Sequence, residues 1–453
     1  MKEKAKRTTL GLAERLGFSA ISIADNLRAY YQSTFMLFFC TNVLGCRPGI
    51  IATLMSISTV WDAINDPMIA SYADNHPNRK GERTRQYLFA SIPLGIILVL
   101  LFSHIFQNPT ASTIFVFVLF LIYSVFTTFH RLPFFAMMIL VSPEEEDRLS
   151  VSKYHFIGTA IGVALGSVVM WPLVRLVGGV DAAGNVANPD KGFFIGAVIV
   201  ALVVIALSMF HYFTTRERVR PQNVEKTPIL EAIKILFKKA KFRRNVILDF
   251  LRNVMIAGTM GYGMYYVTYV LGKPAMLTLL SAVYLFSSLI FLPFVSGIIR
   301  KLGIRKSLIL SAIIQLAAEI VFVIMPKTLI GGLAVMIACG VSTSLINVAL
   351  SLNRAHIADE VEEAEGRRVD SMVSNVNGLA VKCGSSLVTL LFGWILELTH
   401  YDGSLAVQPD SAIKGIIFIM GWMVIICCVG LILAAPKEEP AKIAGAPAGT
   451  EGE

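Results

Sequence analysis

Charged residues are few in this chain. Asp, Glu, Lys and Arg make up 16% of its 453 residues, against 55% hydrophobic, and the mean hydropathy is +0.66. A soluble chain of this length would carry about a quarter charged residues and fold as roughly two or three domains. Catalytic signatures are missing as well. There is no G-x-x-x-x-G-K-[ST] stretch, so nothing supports ATP-driven transport. There is no nucleophile elbow and no His/Cys/Asp cluster with metal-ligand spacing, which argues against an enzyme and against a resident cofactor. The six cysteines (Cys40, Cys46, Cys339, Cys383, Cys427, Cys428) lie mostly inside apolar runs and read as buried thiols. No A-x-A-like cleavage site follows the basic residues 1–16, so the first apolar run is expected to remain as a span.

What the chain has is apolar length. Twelve runs approach the ~20 residues that cross a bilayer as a helix: 17–43, 49–73, 87–105, 114–140, 154–176, 193–213, 246–271, 276–299, 306–325, 330–352, 371–398 and 413–435. The loops between them alternate. The N-terminus, 79–85, 214–244 and 300–306 are basic, whereas 104–113, 177–192 and 399–412 are nearly free of Lys and Arg. Basic loops face the cytoplasm, so the net charge of +9 reflects membrane topology and not nucleic-acid binding. Both termini are then cytoplasmic in a multi-pass plasma (inner) membrane protein. The expectation is an all-α membrane protein of twelve transmembrane helices in two six-helix halves, 1–213 and 246–435. A middle loop, 214–245, joins them, and its segment Ile229 to Phe242 has the pattern of an amphipathic helix on the inner membrane surface. The Ala/Gly/Pro/Glu-rich tail, 436–453, is expected to be disordered.

The densest chemistry lies in the second run, at Thr59-Val60-Trp61-Asp62-Ala63-Ile64-Asn65-Asp66-Pro67. Asp62 and Asp66 share one helix face, with Asn65 beside them. One Asp near the middle of a membrane helix costs about 2.5 to 3.5 kcal/mol. Two close carboxylates in low dielectric call for a proton or a cation between them. Pro67 lacks an N–H and frees the Ala63 carbonyl. Carboxylate, amide and carbonyl oxygens are hard ligands that suit an alkali cation or a proton. The competing reading is a pair that only hydrogen-bonds between helices.

The halves repeat. Phe38-Phe39-Cys40-Thr41-Asn42-Val43-Leu44-Gly45 ends the first run, and Tyr265-Tyr266-Val267-Thr268-Tyr269-Val270-Leu271-Gly272 ends the seventh. Each is followed by a basic residue and Pro (Arg47-Pro48, Lys273-Pro274), and Pro67 has a counterpart in Pro293. A parallel repeat of six spans implies a pseudo-two-fold axis along the membrane normal.

Trp61-Asp62-Ala63-Ile64-Asn65-Asp66-Pro67, the basic loop after it, the Val-Leu-Gly ends, Arg367-Arg368-Val369-Asp370-Ser371 and Lys382-Cys383-Gly384 together resemble the glycoside-pentoside-hexuronide:cation symporters, the melibiose permease-like group of the major facilitator superfamily. The resemblance covers nearly the whole chain and implies the major facilitator fold. It implies a cation site for Na⁺, Li⁺ or H⁺ at Asp62, Asn65, Asp66 and Thr128, the last placed by alignment through Pro133. It also implies a sugar site, and there this chain departs from the group. The span-1 positions read Asp25-Asn26, the acid before the span-4 Pro is Arg131, the aromatic after it is Phe135, and the span-5 arginine aligns with His155. A guanidinium in place of an acid offers a five-donor fork suited to carboxylate, sulfonate or phosphate. An acidic glycoside such as a uronide or sulfosugar is therefore the expected substrate, unless Arg131 is a counter-ion to Asp25 or to the aspartate pair. Lys382, an ammonium well inside span 11, needs an anion from protein or substrate.

Other polar groups read as support: Arg28 as a partner of Asp25, His130 as a packing residue, Asp249 with Arg252 as a local pair, and 144–148 as a solvated loop. Tyr262, Tyr265 and Tyr266 are weaker candidates for stacking on a sugar ring. The chain is expected to be a cation-coupled secondary transporter of a glycoside, with membrane lipid and a small-molecule substrate as partners and no obligate protein partner. An amphiphilic or anionic non-sugar cargo, a uniporter and a non-transporting sensor stay open.

Overall fold

The computed structural model describes residues 10–76, 78, 82, 84–182, 184–219, 236–365 and 370–435. Every expected span is helical. The first half contains α1 (Leu12–Asn42), α2 (Pro48–Asn75), α3 (Ser91–Leu101, entered through a 3-10 turn, Arg85–Ala90), α4 (Pro109–Leu140), α5 (Glu145–Ala164), α6 (Met170–Gly178) and α7 (Pro189–Thr214). A π-turn, Leu165–Val169, joins α5 to α6, so the two make one span. The second half contains α8 (Ala240–Met260), a short α9 (Gly263–Tyr265) running into a π-turn, α10 (Met276–Ile324), α11 (Leu329–Glu365), α12 (Asp370–Leu398), α13 (Asp410–Ile417) and α14 (Met423–Ala434). α10 holds two spans, broken at Gly303, whose φ of 76° belongs to the left-handed region that glycine tolerates. Basic residues flank that break, as the pattern required.

Helix ends follow local chemistry. Asn108 caps α4 by accepting the Thr110 N–H at 2.8 Å, and Asn188 caps α7 through Lys191 N–H at 3.0 Å, each with Pro in the first turn. α5 starts nine residues before the apolar run, at Glu145, because its acidic first turn complements the helix N-terminus. The stretch 144–148 is thus mostly helix and not loop. Asp147 is buried and accepts from Ser142 Oγ at 2.8 Å.

The repeat reappears in the backbone. Gly45 (φ 64°) and Gly272 (φ 66°) end their spans identically. Leu44 N–H reaches the Phe39 carbonyl and Cys46 N–H the Cys40 carbonyl, while Leu271 and Lys273 make the equivalent bonds to Tyr266 and Val267.

The chain packs as two compact units. One comprises Met1–Glu225, Gly263–Ala282 and Thr389–Ile416; the other comprises Lys226–Tyr262, Val283–Val388 and Ile417–Glu453. In the first, α1 is central. Gly158, Gly162 and Gly166 form a stripe on the α5 span, where a Cβ at Gly158 would lie 2.2 Å from the Ser19 carbonyl oxygen. Small residues there let two backbones approach closely. On another side of α1, Tyr31, Phe35 and Phe39 interlock with Phe102, Trp171 and Phe193. The ends of α1 and of the seventh and eleventh spans also meet in this unit. Thr41 bonds Tyr265 at 2.8 Å, Asn42 bonds Tyr269, and Tyr401 donates to Asn42 at 2.9 Å. Tyr265 and Tyr266 are fully buried packing residues, so neither is a stacking platform here.

In the second unit, Leu236 and Phe242 bury against Ile357, Val361 and Val373. The rest of the expected amphipathic helix, residues 229–235, lies outside the described residues, as do 436–453 and Arg367, Arg368 and Val369. Asp249 meets Arg252 at 3.6 Å but binds Arg354 more closely, at 2.8 Å.

Candidate functional site

α4 is the rail on which two polar clusters hang. Residues four apart on a helix stack in rows, and neighbouring rows turn by about 100°. One row holds Ser124 and Thr128 and faces α2. The next holds Tyr123, Thr127 and Arg131 and faces α1.

On the α2 side, Thr128 Oγ1 donates to Asp66 Oδ1 at 2.7 Å and lies 3.5 Å from Asp62 Oδ1. Ser124 Oγ donates to Asp62 Oδ1 at 2.8 Å and accepts from Asn65 Nδ2 at 2.8 Å. Asn65 is 3% exposed, and its Oδ1 is buried with no hydrogen-bond partner among the described residues. Asp62, Asn65, Asp66 and Thr128 are therefore brought together, with Pro67 continuing α2 just beyond them. Oxygen is the only ligand type that this face presents: two carboxylates, two hydroxyls and an orphaned amide oxygen. Trp61, next in sequence, faces away, into an apolar groove with Leu121, Ile122 and Val125.

On the α1 side, Asp25 Oδ1 bonds Arg28 Nη2 at 2.6 Å, and Asp25 Oδ2 lies 3.3 Å from Arg131 Nε. Arg28 is buried and also bonds Tyr123, with Thr127 Oγ1 at 3.5 Å. His130 borders this cluster too, and its burial fits its reading as a packing residue. It is fully buried, with Nδ1 4.0 Å from Asp25 and Nε2 2.8 Å from Ser208 Oγ. Adjacent residues of α4 can both border Asp25, because it lies between their rows.

The Arg131 side chain is 42% exposed, against 6% for Asp25. Asn26 and His155 join through Ser22: Asn26 Nδ2 donates to the Ser22 carbonyl at 2.9 Å, and Ser22 Oγ meets His155 Nδ1 at 2.9 Å. Phe135 lies on α4, with its side chain outside the described residues. Lys382, half-buried on α12, belongs to the other unit.

Sequence reading missed Ser124, Tyr123, Thr127 and Arg354. It also missed Glu319, a carboxylate inside the ninth apolar run, whose position alone was the signal. Among the described residues no group of three His, Cys, Asp or Glu side chains gathers as a metal site.

The chain resembles known membrane transporters. The chain is 25% identical to the inner membrane symporter YicJ of Escherichia coli (strain K12), over 93% of this chain and 90% of that protein. It is 22% identical to the isoprimeverose transporter of Lactiplantibacillus pentosus, over 91% and 86%. Its fold matches the crystal structure of a bacterial homologue of the human lysosomal transporter Spinster in an inward-facing, unoccupied conformation, with a TM-score of 0.70 at 13% identity, covering 94% of this chain and 96% of that one. The MFS/sugar transport protein family matches residues 17–435, and the chain belongs to it: a multi-pass membrane transporter of the major facilitator type, not an enzyme.

Proposed function

We propose that this transporter couples the movement of an acidic glycoside to Na⁺ or H⁺, with Asp62, Asn65, Asp66 and Thr128 holding the cation and Arg131 gripping the anionic group of the sugar. The observation that supports the cation half most strongly is the convergence of two carboxylates with an amide oxygen that is buried and has no donor. A buried acceptor without a partner is costly, and a cation or proton supplies what it lacks. The sugar half rests on Arg131. Asp25 already has Arg28 as a close partner, so the second guanidinium is needed less for neutralising Asp25 than for a ligand that reaches its exposed end. The isoprimeverose transporter among the relatives supports a glycoside as the cargo class.

α4 links the two sites. Thr127 and Thr128 are consecutive, one toward Arg28 and the other toward Asp66. Neutralising the aspartates shifts Thr128 and Ser124, and the same helix carries Tyr123 and Arg131 into register for substrate. The loaded site is then exposed alternately to the two sides of the membrane. The basic loops support a cytoplasmic position for both termini.

Thermal unfolding of the purified protein in detergent tests this reading, because anything that binds the folded state raises its melting temperature. Uronides and sulfosugars are compared with neutral galactosides, each with NaCl or choline chloride and across a range of pH. Stabilisation by an acidic glycoside, greater with the coupling cation, is the expected result. Stabilisation by neutral sugars alone makes Arg131 a structural counter-ion.

A further inference from the structure

The second unit buries a carboxylate that the transport scheme above does not use. Glu319 lies on the part of α10 beyond Gly303 and is 0% exposed, as are Gln315 and Thr259. Gln315 Nε2 donates to Glu319 Oε1 at 2.7 Å. Thr259 Oγ1, from α8, lies 3.4 Å from the same oxygen and also donates to the Met255 carbonyl at 3.0 Å. Among the described residues the other carboxyl oxygen, Oε2, is buried with no partner, and so is Oε1 of Gln315. Among the described residues no Lys, Arg or His pairs with Glu319. The titratable groups that face it from neighbouring helices are two buried thiols, Cys339 of α11 and Cys428 of α14, and neither brings positive charge.

A bare carboxylate in such a place is strongly unfavourable, since among the described residues it has neither a counter-charge nor a full set of donors. The two orphan oxygens are both acceptors, so no rotation of an amide against a carboxylate can satisfy them together. One proton does. A neutral Glu319 donates from Oε2 toward the amide oxygen of Gln315, while the amide N–H already donates to Oε1. The acid and the amide, four residues apart on one helix face, then form a closed pair. A metal cation is served less well, because the pocket adds only one amide oxygen to the carboxyl group.

We infer that Glu319 is a second ion site of this transporter, specific for a proton, which it takes from water in one state of the cycle and holds against Gln315 in the state described. The proton belongs to this conformation, so the sign of the pH effect follows. Raising the pH removes the proton, disfavours this state and slows the cycle on the alkaline side. Glu319→Gln mimics the neutral acid and removes that alkaline fall. The site is separate from Asp62 and Asp66, and its proton neither replaces nor requires the cation there.

Infrared difference spectra of the full chain in proteoliposomes test this, together with the pH profile of exchange of whichever glycoside gives the largest thermal stabilisation. The expected result is a protonated-carboxyl band that fades as pH rises, is lost in Glu319→Gln and persists in Asp66→Cys. The exchange rate of Glu319→Gln should stay level where the wild type declines. Absence of the band in wild type overturns the inference. So does a pH profile of Glu319→Gln that superimposes on wild type, since Glu319 is then only a packed acid. Should Glu319→Gln fail to fold, the wild-type and Asp66→Cys spectra decide: a band that is missing, insensitive to pH or lost with Asp66 overturns it.

Discussion

Asp25 and Asp62 are the same residue type on helices that both pack on α4, and their surroundings are opposite. Asp25 is nearly inaccessible and is met by two guanidinium groups and an imidazole. Asp62 is half-buried, shares its face with a second carboxylate and is met by the hydroxyls of Ser124 and Thr128. One cluster gathers guanidinium groups around a single acid, and the other sets two acids side by side among hydroxyl groups. In the proposed scheme α4 lies between the place for an anion and the place for a cation, and through it one site reports on the other.

Substitutions that break this contrast differ in size. The largest effect is expected for Asp25→Ala, which strands Arg28 in the interior. Removing one partner of a buried ion pair costs about 3–5 kcal/mol, so thermal unfolding should show a severe loss of stability or no folded protein. Arg131→Gln should leave the fold and the cation-dependent stabilisation intact. It removes a charge-assisted contact worth about 1.5–3 kcal/mol, so affinity for an acidic glycoside should fall roughly 10- to 100-fold while affinity for a neutral one changes little. Competition with graded acidic and neutral ligands checks this. The smallest change is expected for Ser124→Ala. It takes one donor from Asp62 and one acceptor from Asn65, about 1 kcal/mol in all, and should weaken the apparent cation affinity about fivefold without altering the response to the ligand's charge.

The contrast was only half visible in the amino-acid order. Two acids four residues apart in an apolar run announce themselves, because so few side chains can be charged there. The matching glycines, Gly45 and Gly272, also stood out, since a repeated Leu-Gly before a basic residue and Pro encodes a repeated helix end. Ser124 did not. A single serine in an apolar helix resembles any other hydroxyl bonded to its own backbone, and only the packing of α2 on α4 sets it between Asp62 and Asn65. The partners of His130 were hidden for a related reason: its burial depends on α1 and α7 closing over it, as the Asp25 and Ser208 contacts show. Asp147 read as solvated because it sits in a run of acids, yet it points inward while Glu144, Glu145 and Glu146 do not. Glu319 is the clearest lesson, since its neighbours in sequence are apolar and its partners, Gln315 and Thr259, come from one turn earlier and from another helix.

The most direct test of coupling compares wild type with Asp66→Cys in proteoliposomes, using the labelled glycoside that stabilises best and an imposed Na⁺ or proton gradient. Wild type should accumulate the sugar above its external concentration. Asp66→Cys should lose that accumulation while still exchanging sugar across a membrane that carries no ion gradient. Accumulation by Asp66→Cys equal to wild type would contradict the assignment of the aspartate pair as the coupling site.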